Sequence, residues 1–308
     1  MDIAILGAGA MGCVYGGFLS ESGENKVTLI DIWKDHMAAI NERGLTIDTV
    51  NGEKHFKNLR GVGAPAEAGP ADLVIVFVKA LATEEAMRQA LNLVKPETMV
   101  LTMQNGLGNV EKLSRVAGAE KVIGGITSFG AAIMGPGKVS LRGVGESVFG
   151  ELDGRLTPRM QNLKAAFDRE GLPASVTDNV LGRIWTKLIS NIGLNAPCAL
   201  LNFKNGQLLD YRETEALTEA AVTEAAAVAK AEGIRLTTDD PIAYAKKVIR
   251  NTGQNTCSML QDITAKRRTE ISVINGAVVD KGREHGINTP VNMVLTNLIR
   301  ALEQSYLA

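Results

Sequence analysis

Ile3-Ala-Ile-Leu-Gly7-Ala-Gly9-Ala10-Met11-Gly12 is the stretch whose reading decides the fold. A short apolar run leads into glycines spaced Gly-x-Gly-x-x-Gly, and Tyr15, Phe18 and Leu19 follow at helical spacing. The order is therefore strand, glycine turn, helix. Gly7 permits the tight turn, Gly9 lets a pyrophosphate approach the backbone, and Gly12 lets helix pack on strand. Phosphates would then sit at the positive end of the helix dipole, which makes Gly7, Gly9, Ala10, Met11 and Gly12 candidate cofactor-binding residues. A purely structural glycine turn is the competing reading; the position directly after an amino-terminal strand weighs against it.

The next strand, Val27-Thr-Leu-Ile-Asp31, ends in an acid nineteen residues beyond Gly12. A dinucleotide fold places a carboxylate there to accept from the ribose hydroxyls of adenosine. Such a carboxylate repels a 2'-phosphate, so Asp31 favours NAD over NADP. Two bases, Lys34 and Lys79, point the other way, and a solvated strand-end acid is a third reading.

Working outward, 45–50 and 54–59 flank Asn51-Gly52, the dipeptide typical of a two-residue hairpin, read as an insertion near the sheet. Asp72-Leu-Val-Ile-Val-Phe-Val78 is a continuous apolar strand, as expected inside a parallel sheet, and ends at Lys79. A helix over 84–94 and a strand over 99–103 lead to Gln104-Asn105-Gly106-Leu-Gly108, a second polar strand end beside glycines. Strand 121–125 precedes Thr127, Ser128, Gly130 and Ala131, small enough to lie against a flat ring. Short strands around Gly135-Pro-Gly-Lys138 and over 147–150, a helix over 158–170 and a strand over 174–176 complete this half. Beyond 179 the pattern is helical: 214–232, 241–250, a long helix over 259–285 opened by a Ser258-x-x-Gln261 capping box, and 290–307. The expected fold is α/β, a Rossmann-like doubly wound parallel sheet over 1–178 followed by an all-helical domain over 179–308.

At the head of the helical half, Ile184-Trp-Thr-Lys187-Leu-Ile-Ser-Asn191-Ile-Gly-Leu-Asn195 sets one ammonium and two carboxamides four residues apart, on one face of a helix. A solvated face or a buried hydrogen-bond network is the plain explanation. A lysine on an otherwise apolar helix is partly desolvated, which lowers its pKa and suits it to give up a proton if the crevice carries out acid catalysis. The histidines serve less well: His36 and His55 fall in segments read as peripheral, and His285 sits at a helix carboxyl end before Gly286.

The totals narrow the classes. The 308 residues carry 33 basic and 34 acidic side chains, a net charge of -1, so no global field recruits nucleic acid or an anionic membrane. Cys13, Cys198 and Cys257 are far apart, which argues against a metal site or disulfide framework and fits a reducing compartment. No secretory signal or apolar run of spanning length is visible, so a cytoplasmic protein without membrane association is expected. Apolar helices late in the chain leave a homodimer open.

Taken together, Gly7-Ala-Gly-Ala-Met-Gly12, Gln104-Asn-Gly-Leu-Gly108, Lys187 with Asn191 and Asn195, Ser258-Met-Leu-Gln-Asp262, Thr269-Glu-Ile271 and Ile274-Asn-Gly276 make the whole chain resemble the ketopantoate reductase (2-dehydropantoate 2-reductase) family. The resemblance implies NAD(P)H-dependent reduction of 2-dehydropantoate to (R)-pantoate, with Lys187 as proton donor and Glu270 supporting substrate and site geometry. It places Asn191, Asn195, Ser258, Asn105 and Asn205 on the substrate, and Lys79, Ala131, Asn105 and Glu270 toward the cofactor. The family's NADP(H) habit meets a departure here, since Ile30-Asp-Ile-Trp-Lys34 puts an acid where many members carry a base. Two alternatives remain: reduction of another small 2-oxo or 3-oxo acid on the same scaffold, and a redox-sensing NAD(P)-binding protein without catalysis.

Overall fold

A computed structural model describes residues 1–143 and 145–307. By contact density the chain falls into two units, one of Met1–Gln104 with Asn109–Val180, the other of Asn105–Gly108 with Leu181–Ala308.

In the first unit the chain runs through β1 (Asp2–Leu6), α1 (Ala10–Leu19), β2 (Lys26–Ile30), α2 (Lys34–Arg43), β3 (Leu45–Thr49), β4 (Gly52–Phe56), β5 (Leu59–Val62), β6 (Ala71–Val76), α3 (Thr83–Gln89) and β7 (Val94–Thr102). It continues through α4 (Asn109–Ala117), β8 (Val122–Thr127), β9 (Gly130–Gly135), β10 (Lys138–Gly143), β11 (Ser147–Glu151), α5 (Pro158–Arg169) and β12 (Ala174–Val176). The main sheet has the order β12-β11-β8-β7-β6-β1-β2-β5. Its pairings are parallel except that of β11 with β8. Strand order reverses at β1, which lies between β2 and β6, so the ends of β1 and β6 open the crevice where such sheets bind ligands.

The apolar runs of the central strands are continuous because both faces are covered. Ile3, Ile5, Leu73, Ile75 and Leu101 pack with Val14, Phe18, Met160 and Phe167 from α1 and α5. Ala4, Leu6, Val74, Val76 and Val100 alternate to the other face, against Met87 and Leu113 from α3 and α4. Tyr15 is buried because its hydroxyl has partners, Thr127 at 2.8 Å and Ser147 at 2.6 Å.

The hairpin around Asn51 forms, with β3 and β4 antiparallel, but it is part of a second sheet, β4-β3-β10-β9. The expected strand over 54–59 divides. Gly52–Phe56 stays in the hairpin, and Leu59–Val62 joins the edge of the main sheet beside β2. Asn41 on α2 fastens that edge, its carboxamide accepting from Gly61 N and donating to Gly61 O, both at 2.8 Å.

The second unit contains α6 (Val180–Leu201), α7 (Arg212–Ala231), α8 (Pro241–Asn251), α9 (Ser258–Thr264), α10 (Asn275–Glu284) and α11 (Pro290–Leu307). The long helix expected over 259–285 is two helices with a 3-10 turn, Ile271–Val273, between them. The chain turns at Lys266, which takes φ 51. Arg267 N then donates back to Asp262 O at 2.8 Å, and the buried Glu303 of α11 accepts from Thr269 N at 2.6 Å. The capping box also fails: Cys257 is the N-cap, its sulfur accepting from Leu260 N at 3.4 Å, and Ser258 is the first helical residue.

His36, read as peripheral, is wholly buried. Gly137 N donates to its Nδ1 at 2.9 Å, which leaves the proton on Nε2, 3.2 Å from the Cys13 sulfur; that thiol donates to Ala8 O at 3.2 Å. The ring thus ties the second sheet to the glycine turn, with Trp33 stacked on it. Burial lowers its pKa, and the Asp31 carboxylate opposes that in part. The unfolded chain therefore takes up the proton first as pH falls. The contribution of His36 to stability is complete above 6.5 and declines from there toward the lowered folded value. His36→Ala is expected to cost about 2–3 kcal/mol in urea unfolding at neutral pH and to flatten this acid-side loss.

Candidate active site

The glycine turn has the shape a dinucleotide requires. Gly7 holds φ +95, and a Cβ there would stand 2.5 Å from Val78 N. A Cβ on Gly12 would stand 2.0 Å from Gly7 O, whereas one on the exposed Gly9 would meet nothing within 4 Å. Two glycines are therefore locked in packing, and the middle one faces open space. Gly9 is also the N-cap of α1 and offers no side-chain cap, while Ala10 and Met11 are half-buried in the first turn. These residues fit a pyrophosphate.

Asp31 lies just past the end of β2, half-buried. One carboxylate oxygen accepts from Ala8 N at 2.8 Å and the other from Trp33 N at 3.0 Å. The carboxylate therefore orders the glycine turn itself, and each oxygen keeps a lone pair for a ribose hydroxyl. Beside it Ile32 is 90% exposed. Lys79 is exposed at the start of a 3-10 turn, Ala80–Ala82, and Ala131 sits half-buried in β9 against the core. Gln104 is a tie between strand ends: its amide donates to Val78 O and, at 2.8 Å, to Thr83 Oγ1, and its oxygen accepts from Thr102 Oγ1 at 2.9 Å. The signal for this was its place at the end of a buried strand, where neighbouring carbonyls lack ladder partners.

In the second unit α6 carries the polar row. Trp185, Leu188, Ile189 and Ile192 are buried, Lys187 and Asn191 are half-buried, and Asn195 is 3% exposed. Burial lowers the Lys187 pKa from 10.5 to about 8, and the nearby Glu270 carboxylate holds it from falling further. Glu270 is half-buried and immediately precedes the Ile271–Val273 turn, where sequence placed it inside a helix. Asn105–Gly108, which follows β7 in sequence, packs on that same turn. Leu107 N donates to Val273 O at 2.9 Å, and Gly106, at φ +82, would bring a Cβ within 2.5 Å of Val273 Cγ2. The structure thereby gathers Lys187, Glu270 and the Asn105 segment.

Ser258 is exposed, and its hydroxyl is released from capping by Cys257. Asn205 is buried: its amide donates to Thr252 Oγ1 at 3.0 Å and its backbone N to Asn255 O at 3.0 Å, which fastens the loop after α8, while among the described residues its Oδ1 has no partner. Among the described residues no group of three or more His, Cys, Asp or Glu side chains is arranged to hold a metal, and no helix is long and apolar enough to cross a membrane. Gly12→Ala is expected to weaken dinucleotide binding at least roughly 100-fold in calorimetric titration, with the circular dichroism spectrum retained.

Two family models match, Ketopantoate reductase PanE/ApbA over residues 3–154 and Ketopantoate reductase PanE/ApbA C terminal over residues 179–303. The chain is 36% identical to a 2-dehydropantoate 2-reductase of Halobacterium salinarum, over 99% of both chains, and 36% identical to one of Pyrococcus horikoshii, over 98% of both. Among solved structures it is similar to a D-mandelate dehydrogenase with NADH and anilino(oxo)acetate, with a TM-score of 0.94 and 34% identity over the whole of both chains. It is likewise similar to a PanE/ApbA family ketopantoate reductase from Ralstonia eutropha, with a TM-score of 0.92 and 32% identity over the whole of both chains. A Rossmann-like sheet followed by a helical domain, carrying these matches from end to end, places the chain in the PanE/ApbA ketopantoate reductase family, as an NAD(P)H-dependent oxidoreductase of a small oxo acid.

Proposed function

We propose that the protein reduces 2-dehydropantoate to (R)-pantoate, with Lys187 as the proton donor. The observation that carries this reading is the half-buried ammonium of Lys187, brought to a pKa of about 8 beside Glu270 and followed along its helix by Asn191 and Asn195. Full-length similarity to 2-dehydropantoate 2-reductases supports the choice of substrate.

When bound, the nicotinamide would supply the hydride, and every other task falls to this chain's own residues. Lys187 gives its proton to the carbonyl oxygen as negative charge develops there, and its lowered pKa reduces the work of that transfer near neutrality. Asn191 and Asn195 donate to the substrate's oxygens without adding charge. Ser258, Asn105 and Asn205 hold the other end of the substrate, Asn205 with the Oδ1 that has no partner among the described residues. Glu270 accepts from a substrate hydroxyl while keeping Lys187 protonated. Gly7, Gly9, Ala10, Met11 and Gly12 would hold the pyrophosphate, with Lys79 and Ala131 as further cofactor contacts.

For the nucleotide we propose NADH. The Asp31 carboxylate stands where a 2'-phosphate would bring like charge, and its two backbone bonds fix it there. The same residue favours a second reading, an NADH-dependent reductase of a different 2-oxo acid, in line with the similarity to D-mandelate dehydrogenase.

Steady-state assays of 2-dehydropantoate and a panel of aryl and alkyl 2-oxo acids, each with NADH and NADPH, separate the readings. The expected best kcat/KM is for 2-dehydropantoate with NADH; no turnover of it with either cofactor refutes the first reading. Lys187→Ala is expected to lower kcat by roughly 100-fold or more, whichever oxo acid proves best. Asp31→Arg is expected to move the NADH to NADPH preference toward NADPH, and an unmoved ratio contradicts the assigned place of the carboxylate.

A further inference from the structure

Proline inside a helix removes one backbone donor and crowds the carbonyl four residues earlier. In α6 that proline is Pro197, and the carbonyl is that of Gly193, between Asn191 and Asn195. The side chains around this turn compensate. Thr218 of α7 donates to Gly193 O at 2.9 Å, an approach that works because a Cβ on Gly193 would come within 2.9 Å of the Thr218 methyl. From the other side Asn275, the first residue of α10, donates to Ile192 O at 3.3 Å.

Asn275 is 0% exposed, and its amide also donates to Asn292 Oδ1 at 2.9 Å. Asn292 in turn donates to Ala221 O at 3.0 Å and to Glu224 at 2.8 Å. The Glu224 carboxylate accepts from Val291 N at 2.9 Å and Asn292 N at 3.0 Å, at the start of α11. One buried polar chain therefore links α6, α7, α10 and α11. Among the described residues the Asn275 oxygen Oδ1 has no partner. A buried, half-satisfied carboxamide is destabilising compared with an apolar side chain of the same shape, so its donors must serve a purpose that packing does not.

That purpose lies one turn upstream. Val273 N and Ile274 N both donate to Glu270 O at 3.1 Å, so the backbone of Glu270 is fixed relative to residue 275. We propose that Asn275 is a positioning residue for the reduction: by clamping the Glu270–Asn275 segment to the Ile192 carbonyl, it sets the distance between the Glu270 carboxylate and the Lys187 ammonium. The role rests on the reading of Lys187 as proton donor, yet it is tested without turnover.

Lys187 is titrated by NMR of the full-length protein with isotope-labelled lysine, the signal assigned by its loss in Lys187→Arg. Asn275→Leu removes both donors. Asn275→Ser, a smaller change, serves if the first variant does not fold, and Thr218→Val removes the donor on the α7 side of the same helix. The expected result is a Lys187 midpoint about half a unit or more lower in the Asn275 variants, because Glu270 no longer raises it, with the midpoint unmoved in Thr218→Val. In the oxo-acid assay the Asn275 variants are expected to lose kcat by about 10-fold with a smaller change in KM. An unmoved or raised midpoint in the Asn275 variants overturns the clamp, and so does an equal shift in Thr218→Val. A midpoint near 10.5 in the unaltered protein refutes the proton-donor reading instead. The two failures are thus distinct.

Discussion

Removing an ammonium from water is unfavourable, and the arrangement of the second unit follows from keeping Lys187 in such a place on an apolar helix. Its charged form survives because the Glu270 carboxylate is close, and Glu270 is available because the chain does not continue as a helix past Thr264. Had 259–285 been one helix, residue 270 would have followed the helical register. The interruption frees it to sit at a turn that is held at several points: by Glu303, by the Asn105–Gly108 segment and, through residue 275, by α6. The lysine, the acid and the broken helix are one solution to a single electrostatic problem.

In the first unit the governing constraint is steric. Gly7 against Val78 and Gly12 against Gly7 bring β1, α1 and the end of β6 closer than any side chain permits, and the turn that results leaves Gly9 open. Polar side chains then hold that turn from outside: Asp31 through Ala8 N, Cys13 through Ala8 O, and His36 behind Cys13. A substitution at Asp31 consequently acts on the order of the turn itself.

Much of this was legible in the sequence because it depends on periodicity and on glycine. The apolar runs of β1 and β6, the spacing of the glycines, and the four-residue interval from Lys187 to Asn191 to Asn195 are local patterns with few alternative explanations once they occur together. What escaped depends on partners distant in the chain. Nothing around Lys266 marks a helix end, since no glycine or proline stands there, and the break exists because Glu303 and Asp262 capture the backbone. His36 looks like any residue of a surface helix until Gly137, far along the chain, donates to its ring. Cys257 displaces Ser258 as the cap because a sulfur can accept from Leu260 N, a choice composition does not signal. Among the residues of the candidate site, Lys187, Asn191 and Asn195 were apparent from the helix itself. Asn105, Glu270, Ser258 and Asn205 took their assignment from resemblance, since their places depend on turns and loops that no local period marks.

The assignment of Lys187 as the acid is tested most directly by the pH dependence of kcat/KM for oxo-acid reduction. It should fall as pH rises through about 8, where the free protein's Lys187 loses its proton, and the fall should move to lower pH in Glu270→Gln, which lacks the charge that raises that pKa. A profile that stays level through this region, or a fall that Glu270→Gln leaves in place, contradicts the assignment.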